Sequence, residues 1–463
     1  MCDQMRWDVM GCAGHPTVRT PNLDRLAREG RLFANAYTVA PVCSPARYSL
    51  FTGRYPHTHG ALENGVAANE GEIFLTSLLK HHGYTTAISG KLHFTPKHLA
   101  YDFDYFWSYL YEGPRELETY PLFLKLKHGS ARIFQREESI EHPLLREIGS
   151  FPYPRTDFMS CWIADRAIDF LRSRESAEPW FLFVSFRIPH GPYLSPEPYR
   201  SMYPPEELDV PEIPESNRGM PVEAGYVDTD DVLRRITAQY LGHVTNLDDN
   251  VGRVLGELDR LGMRDDTIVV FTSDHGEMLG DKGRWGKNLM YEGPTHVPLL
   301  MRLPAGAPVA EKFNGGEPVQ EIVESIDVLP TLLDLAGIPA PGAGLEGQSF
   351  VGVATGADGE WKDRCFAECG RRTMLRDSRY KLIATQKAGG RTLYELYDMD
   401  EDPTEERDLA GNPAQREVRD GLAARLAAWR ARKAGPLEVP GMPTPAYAAA
   451  VREHRERSGD SRR

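Results

Sequence analysis

The chain alternates between stretches with a helical period of apolar residues and short continuous apolar runs. Thr20-Pro21-Asn22-Leu23 opens a helix: Thr20 is a cap, Pro21 suits the first turn, Leu23 and Leu26 share a face, and Gly30 is the stop. A second helix is predicted from Pro45 to Thr52, closed by Gly53, and a third over 73–82 with Gly83 as its stop. "YTTAISG" (84–90) reads as a buried strand. A helix from Cys161 to Arg174 leads into "PWFLFVSFRIPH" (179–190), a core strand, and a long amphipathic helix from Leu233 to Leu261 leads into "DTIVVFTSDHG" (266–276). Helices alternating with apolar strands predict an α/β fold, a large mostly parallel sheet sandwiched by helices.

Three stretches break this rhythm. Residues 101–158 are rich in Tyr, Phe and Trp without a clean period, which fits a surface insertion or a pocket wall equally well. After the Pro/Gly-rich "AGIPAPGAGLEGQSF" (336–350), the pieces "DRCFAECG", "RTMLRDSRYKLIAT" and "TLYELYDMDEDPTEERDLA" suit a small antiparallel sheet, followed by a helix near 413–432. The expected organisation is a catalytic α/β domain over 1–350, a small C-terminal antiparallel-sheet α+β domain over 351–440, and a loose polar tail over 441–463. The beginning is the third. If Asp3 stands at the C-terminal tip of a strand, the rest of that strand has to come from before residue 1, so an upstream start is expected.

Composition narrows the function classes. The chain has 463 residues, 41% hydrophobic and 26% charged, with a formal net charge of −13. That balance argues against nucleic acid as a partner, although a local cationic cluster can still hold a small anion. No apolar run approaches the length of a membrane span. No basic segment followed by an apolar one opens the chain, so the expected compartment is the cytoplasm, with a leader left open by the missing strand. Six cysteines in so long a chain do not read as a disulfide framework; Cys365 and Cys369 lack a second pair of zinc spacing and read as free thiols.

Candidate chemistry collects at strand ends, where ligands bind in open α/β sheets. Asp274 and His275 directly follow "TIVVFTS", and Asp3 with Gln4 suits a second tip. Two carboxylates, an amide oxygen and an imidazole can enclose a divalent cation, whereas any one of these pairs alone reads as a loop cap. His190 in "IPHGPY", Lys91 and His93 in "SGKLHF", and Lys287 in "GRWGKNLMYEG" bring cationic groups to the same edge, a cup suited to a tetrahedral oxyanion.

The remaining signal is "VCSPARYSLFTGRYPHTHG" (42–60), where Cys43 stands two residues before a proline and four before an arginine. "CSPAR" with "TGRYPHTHG", then "GKLHF", then "SDHGEMLGDKGRWGK", supported by "PNLDRLAREG" and "DVLPTLLDLAGIP", make nearly the whole chain resemble the sulfatases of the alkaline phosphatase superfamily. The resemblance implies an alkaline phosphatase-like fold, sulfate ester hydrolysis, and oxidation of Cys43 to formylglycine by a formylglycine-generating enzyme. A hydrated aldehyde there has one oxygen to attack sulfur and a second to collapse. It also implies roles. Asp3, Gln4, Asp274 and His275 match metal ligands, with residue 43 completing the shell. Arg47 matches the group that steadies residue 43. Lys91 and His93 match groups touching the sulfate and formylglycine, His190 and Lys287 match the pair beside the leaving oxygen, and Asn64 faces the sulfate.

Two departures matter. Many members have Asp where this chain has Gln4 and Asn where it has His275, which removes a negative charge and adds a nitrogen donor. Calcium is the implied cation, with Mn²⁺ or Zn²⁺ as alternatives. Related phosphonate monoester hydrolases use the same pairs, so phosphonate or phosphodiester hydrolysis is the nearest alternative; a silent anion- or glycan-binding protein with unconverted Cys43 is the alternative of another class. The partner expected is a small sulfate ester; neither its alcohol nor the oligomeric state is legible.

Overall fold

The structure is a computed structural model that describes all residues except 110–118, 137–141, 175–177, 218–219, 222–223, 343, 358 and 459–463. Its strands are β1 (Arg31–Tyr37), β2 (Thr85–Gly90), β3 (Tyr105–Ser108), β4 (Gln135–Arg136), β5 (Gly149–Ser150), β6 (Trp180–Ser185), β7 (Val269–Thr272), β8 (Leu299–Arg302), β9 (Val319–Glu324), β10 (Arg364–Cys369), β11 (Arg372–Asp377), β12 (Tyr380–Gln386) and β13 (Thr392–Asp398). One sheet runs β7-β8-β1-β9 and another β3-β2-β6; β10 to β13 form an antiparallel meander, and β4 pairs only with β5. Within the first two sheets β1 lies parallel to β9, and β2 parallel to both β3 and β6, while β8 is antiparallel to β1 and β7.

The opening residues sit between these two sheets. Cys2 bridges Ser273 beyond β7, and Asp3 bridges Pro189 beyond β6, both in parallel. The amino-terminal ammonium donates to the carbonyl of Val184 at 2.8 Å, and Cys2 N–H to that of Thr272 at 3.0 Å. Burial holds that ammonium down at a pKa of about 6. Residues 1–3 therefore lie between the ends of β6 and β7.

Helices cover the sheets. Asp230–Arg260 is capped by the Thr229 hydroxyl, which accepts from Val232 N–H, and it packs on the helix Met159–Arg172 over a core that includes Ile163, Leu233, Leu241 and Leu247. Helix Cys43–Thr52 is stopped by Gly53, whose φ of 65° is the left-handed turn that favours glycine. Two expectations need correction. Residues 101–158 are not simply a surface insertion: β3 within them adds a parallel strand to β2, its Phe106 and Ser108 buried. Nor is the polar tail loose throughout, since Ala448–Ser458 is helical and seats Tyr447 and Val451 against Phe74 and Leu78. The six cysteines are free.

Candidate active site

Four strand ends and one helix start converge. Cys43 is the first residue of helix Cys43–Thr52, where unpaired N–H groups and the helix dipole favour an anion. Asn64 Oδ1 accepts from Ser44 N–H at 2.9 Å and so caps that end. One turn further on, Arg47 is fully buried beneath Cys43. Its Nε donates to Asp274 Oδ2 at 2.8 Å, Nη2 to Asp3 Oδ2 at 3.1 Å, and Nη1 to the Lys91 carbonyl at 2.7 Å and Ser185 Oγ at 2.9 Å. The guanidinium thus ties the ends of β2, β6 and β7 together. A buried charge is tolerable only when paired and bonded in this way.

This leaves Asp3 Oδ1 3.8 Å from Cys43 Sγ. One carboxylate oxygen each of Asp3 and Asp274, a ring nitrogen of His275 and Cys43 Sγ all lie within 4.8 Å of one another, and all four residues are buried. His275 Nδ1 donates to the Gly276 carbonyl at 2.9 Å, which leaves Nε2 as the acceptor turned into the site. Gln4, at a left-handed φ of 70°, presents Oε1 to the same space. The ammonium of Lys287 is aimed into this group. It donates to Gln4 Oε1 at 2.8 Å and Cys43 Sγ at 3.1 Å, and lies 3.2 Å from His275 Nε2. A cationic head thus already sits against three of the donors, and this mixed oxygen and nitrogen set fits a divalent cation.

The electrostatics follow. Burial opposes ionisation of Asp3, but Lys91, His190, Lys287 and Arg47 outweigh it and hold the carboxyl well below its usual range. Burial and Asp3 likewise oppose a thiolate at Cys43, yet Lys91, Lys287 and His275 hold its pKa well below that of an ordinary thiol. Burial, and then Lys287, push His190 down to about 4. The site is built to hold negative charge at residue 43.

Comparison with known proteins agrees with this geometry. The family profile described as Sulfatase matches residues 1–338, and one described as N-sulphoglucosamine sulphohydrolase, C-terminal, matches 280–432. The chain belongs to the sulfatase family. Among curated proteins, this sulfatase is 32% identical to an arylsulfatase of Clostridium perfringens over 456 residues, 91% of each chain. It is 29% identical to a choline-sulfatase of Rhizobium meliloti over 488 residues, 99% of this chain and 88% of that one. Among solved structures it is similar to the phosphonate monoester hydrolase of Agrobacterium radiobacter, with a TM-score of 0.78, 27% identity, and 93% and 94% of the two chains covered. The fold is accordingly alkaline phosphatase-like, and the protein is a sulfuric ester hydrolase.

The sulfatase brings together Asp3, Gln4, Cys43, Arg47, Lys91, His190, Asp274, His275 and Lys287. Lys91 Nζ donates to Asp3 Oδ2, and the backbone N–H of His190 donates to the Asp3 carbonyl at 3.1 Å. Two expected residues enter differently. Asn64 turns its oxygen to the helix start, and His93 contributes its carbonyl, which accepts from Ser44 Oγ at 2.8 Å. Sequence reasoning missed Glu277. Its fully buried carboxylate accepts from Gln4 Nε2 and from Gly286 N–H, and so decides which end of the Gln4 amide faces the site. The signal was an acidic residue three positions after Asp274, inside a motif already marked.

Proposed function

We propose that this sulfatase hydrolyses sulfate esters through residue 43, converted from cysteine to formylglycine, with a divalent cation held by Asp3, Gln4, Asp274, His275 and residue 43. Calcium is the first choice; the imidazole donor makes Mn²⁺ or Zn²⁺ the alternatives. The cation would supply Lewis-acid stabilisation of charge on the ester oxygens. The carrying observation is the placement of Cys43: at a helix start, against three cationic or imidazole groups, over a buried arginine that pairs with both Asp3 and Asp274.

The hydrated aldehyde supplies an oxygen that forms a bond to sulfur as the bond from sulfur to the alcohol oxygen breaks. Its second hydroxyl then lets the carbon–oxygen bond break, so that sulfate leaves and the aldehyde returns. The chain's own residues do the rest. Lys91 and Lys287 hold the sulfate oxygens as charge grows on them. His190 Nδ1 donates to the Gly191 carbonyl at 2.6 Å, so Nε2 is the end that faces residue 43. A bound sulfate monoester offsets Lys287, raises His190 from its low value, and lets Nε2 carry the proton to the departing alcohol. The base of the second step is assigned to His93 on the family resemblance alone; its carbonyl, not its imidazole, is the group that meets the Cys43 helix. Arg47 fixes Asp3 and Asp274 throughout.

A second reading is supported by Gln4 and His275, which depart from the usual sulfatase pairs, and by the likeness to a phosphonate monoester hydrolase. Comparing kcat/KM on 4-nitrophenyl sulfate and on 4-nitrophenyl phenylphosphonate separates the two; a preference for the phosphonate would overturn the first. Peptide mass over residues 42–54, from protein co-expressed with a formylglycine-generating enzyme, tests the nucleophile. Retention of sulfur at residue 43 in fully active protein would refute it and leave the silent binding protein as the reading for inactive material.

A further inference from the structure

A cavity of about 500 Å³ opens beside the reacting residue, between the catalytic sheets and the C-terminal meander. Its inner wall is made of chain neighbours of the site: Val42 precedes Cys43, Asn288 follows Lys287, and Asn64 caps the helix that Cys43 begins. Its outer wall comes from the turn between β10 and β11 and from the end of β12, which contribute Arg371, Arg372 and Lys387. Glu63 is the one carboxylate among the described lining residues. Arg372 Nη1 donates to the Asn288 carbonyl at 3.3 Å, so its head is tethered at the junction of the two walls. Arg371 and Lys387 are exposed, and among the described residues no carboxylate pairs with either.

Three cations against one carboxylate stand out on a chain whose net charge is −13. A cavity of this size holds a sugar-sized group. Guanidinium and ammonium groups on one wall recognise an anion by charge-assisted hydrogen bonds, and they repel a quaternary ammonium.

We propose that this cavity seats the alcohol part of the ester, and that this alcohol carries a second anionic group, a sulfate or a carboxylate, bound by Arg371 and Lys387. The inference rests on residue 43 being the reacting group. It excludes choline sulfate as a good substrate and disfavours neutral alcohols.

The test compares substrates that differ in charge beyond the scissile sulfate. N-sulfoglucosamine 6-O-sulfate against N-acetylglucosamine 6-O-sulfate probes a second sulfate, and 4-sulfooxybenzoate against 4-sulfooxybenzamide probes a carboxylate. In at least one pair the acidic member should have a kcat/KM about tenfold higher, and choline sulfate should be the poorest of all. The pair that responds identifies the anion. In the double variant Arg371→Gln/Lys387→Gln the preference should shrink towards unity through loss of kcat/KM on the acidic members. Equal or reversed preference in both pairs, or a preference that survives the double variant, overturns the proposal. Calorimetric binding of the same pairs to Cys43→Ala separates this from the function above. Turnover without charge preference sinks the cavity assignment alone, and charge-selective binding without sulfate turnover by the parent enzyme sinks the sulfatase mechanism alone.

Discussion

Asp274→Asn separates two duties of one side chain. Oδ1 of Asp274 accepts from the backbone N–H of Gln4 at 3.1 Å and of His275 at 3.0 Å, while Oδ2 takes Arg47 Nε at 2.8 Å. An asparagine keeps both backbone bonds only with its oxygen at the Oδ1 position, and that turns its NH₂ against the Arg47 donor. The lost charge-assisted bond is worth about 1.5–3 kcal/mol. Arg47 retains Asp3 as a carboxylate partner, so the loss in unfolding free energy should stay near that range and below the roughly 3–5 kcal/mol of breaking a buried pair outright. The cation site loses more. Losing an outer-shell partner lowers metal affinity about ten- to hundredfold, and loss of the full negative charge, even with an oxygen kept at the Oδ1 position, should reach the upper end of that range. Elemental analysis of dialysed protein reads the affinity change, and urea unfolding with and without a chelator reads stability. The parent midpoint should fall on chelation and the variant's should not. Unchanged metal content would remove Asp274 from the site. A loss well beyond 5 kcal/mol in chelated protein would refute the account of Arg47 as a doubly paired cation.

Two further outcomes are expected. His243 accepts from Leu194 N–H at Nε2 and donates from Nδ1 to the Pro189 carbonyl, and burial holds its pKa down to about 3 against 6.5 ordinarily. The unfolded chain therefore binds the extra proton between those values, and stability present above pH 6.5 is lost as pH falls, by about 1.4 kcal/mol per pH unit; urea titrations of His243→Gln should show that slope reduced by one proton, and an unchanged slope would refute the assignment. Glu277→Gln should turn an NH₂ towards the Gln4 NH₂ and force that amide to flip, lowering metal affinity about tenfold or more; equal affinity by metal titration would show that Glu277 does not position Gln4.

What the sequence revealed depended on whether the signal was local. Pro21 and Gly30 bound the first helix because capping is decided by adjacent residues, and Asp274 and His275 were placed at a strand end by the apolar run before them. The motif around Cys43 carried its chemistry openly. β3 was missed because four residues in a stretch crowded with aromatics have no period to read; its parallel pairing with β2 is a tertiary fact. The helix Ala448–Ser458 was missed because its polar residues outnumber the few that bury, Val451 among them. Glu277 reads in sequence as one more loop acid, and only the approach of Gln4 from the far end of the chain gives it work to do.

The burial of the Cys43 helix sets an order of events in the life of the protein. In the folded chain Cys43 is 1% exposed and Arg47 0%, with Pro45 buried between them. An enzyme that reads these residues as an extended segment has no access once the helix has docked. Docking itself waits on Asp3 and Asp274, which lie 271 residues apart along the chain and which Arg47 joins. Contacts of such sequence separation form late. A newly made chain therefore spends an interval with Cys43 reachable and its final neighbours absent. On the conversion of Cys43 proposed above, the fraction of molecules able to work would be fixed in that interval, by a race between modification and closure. On that conversion, a variant that folds faster should be, molecule for molecule, less often competent.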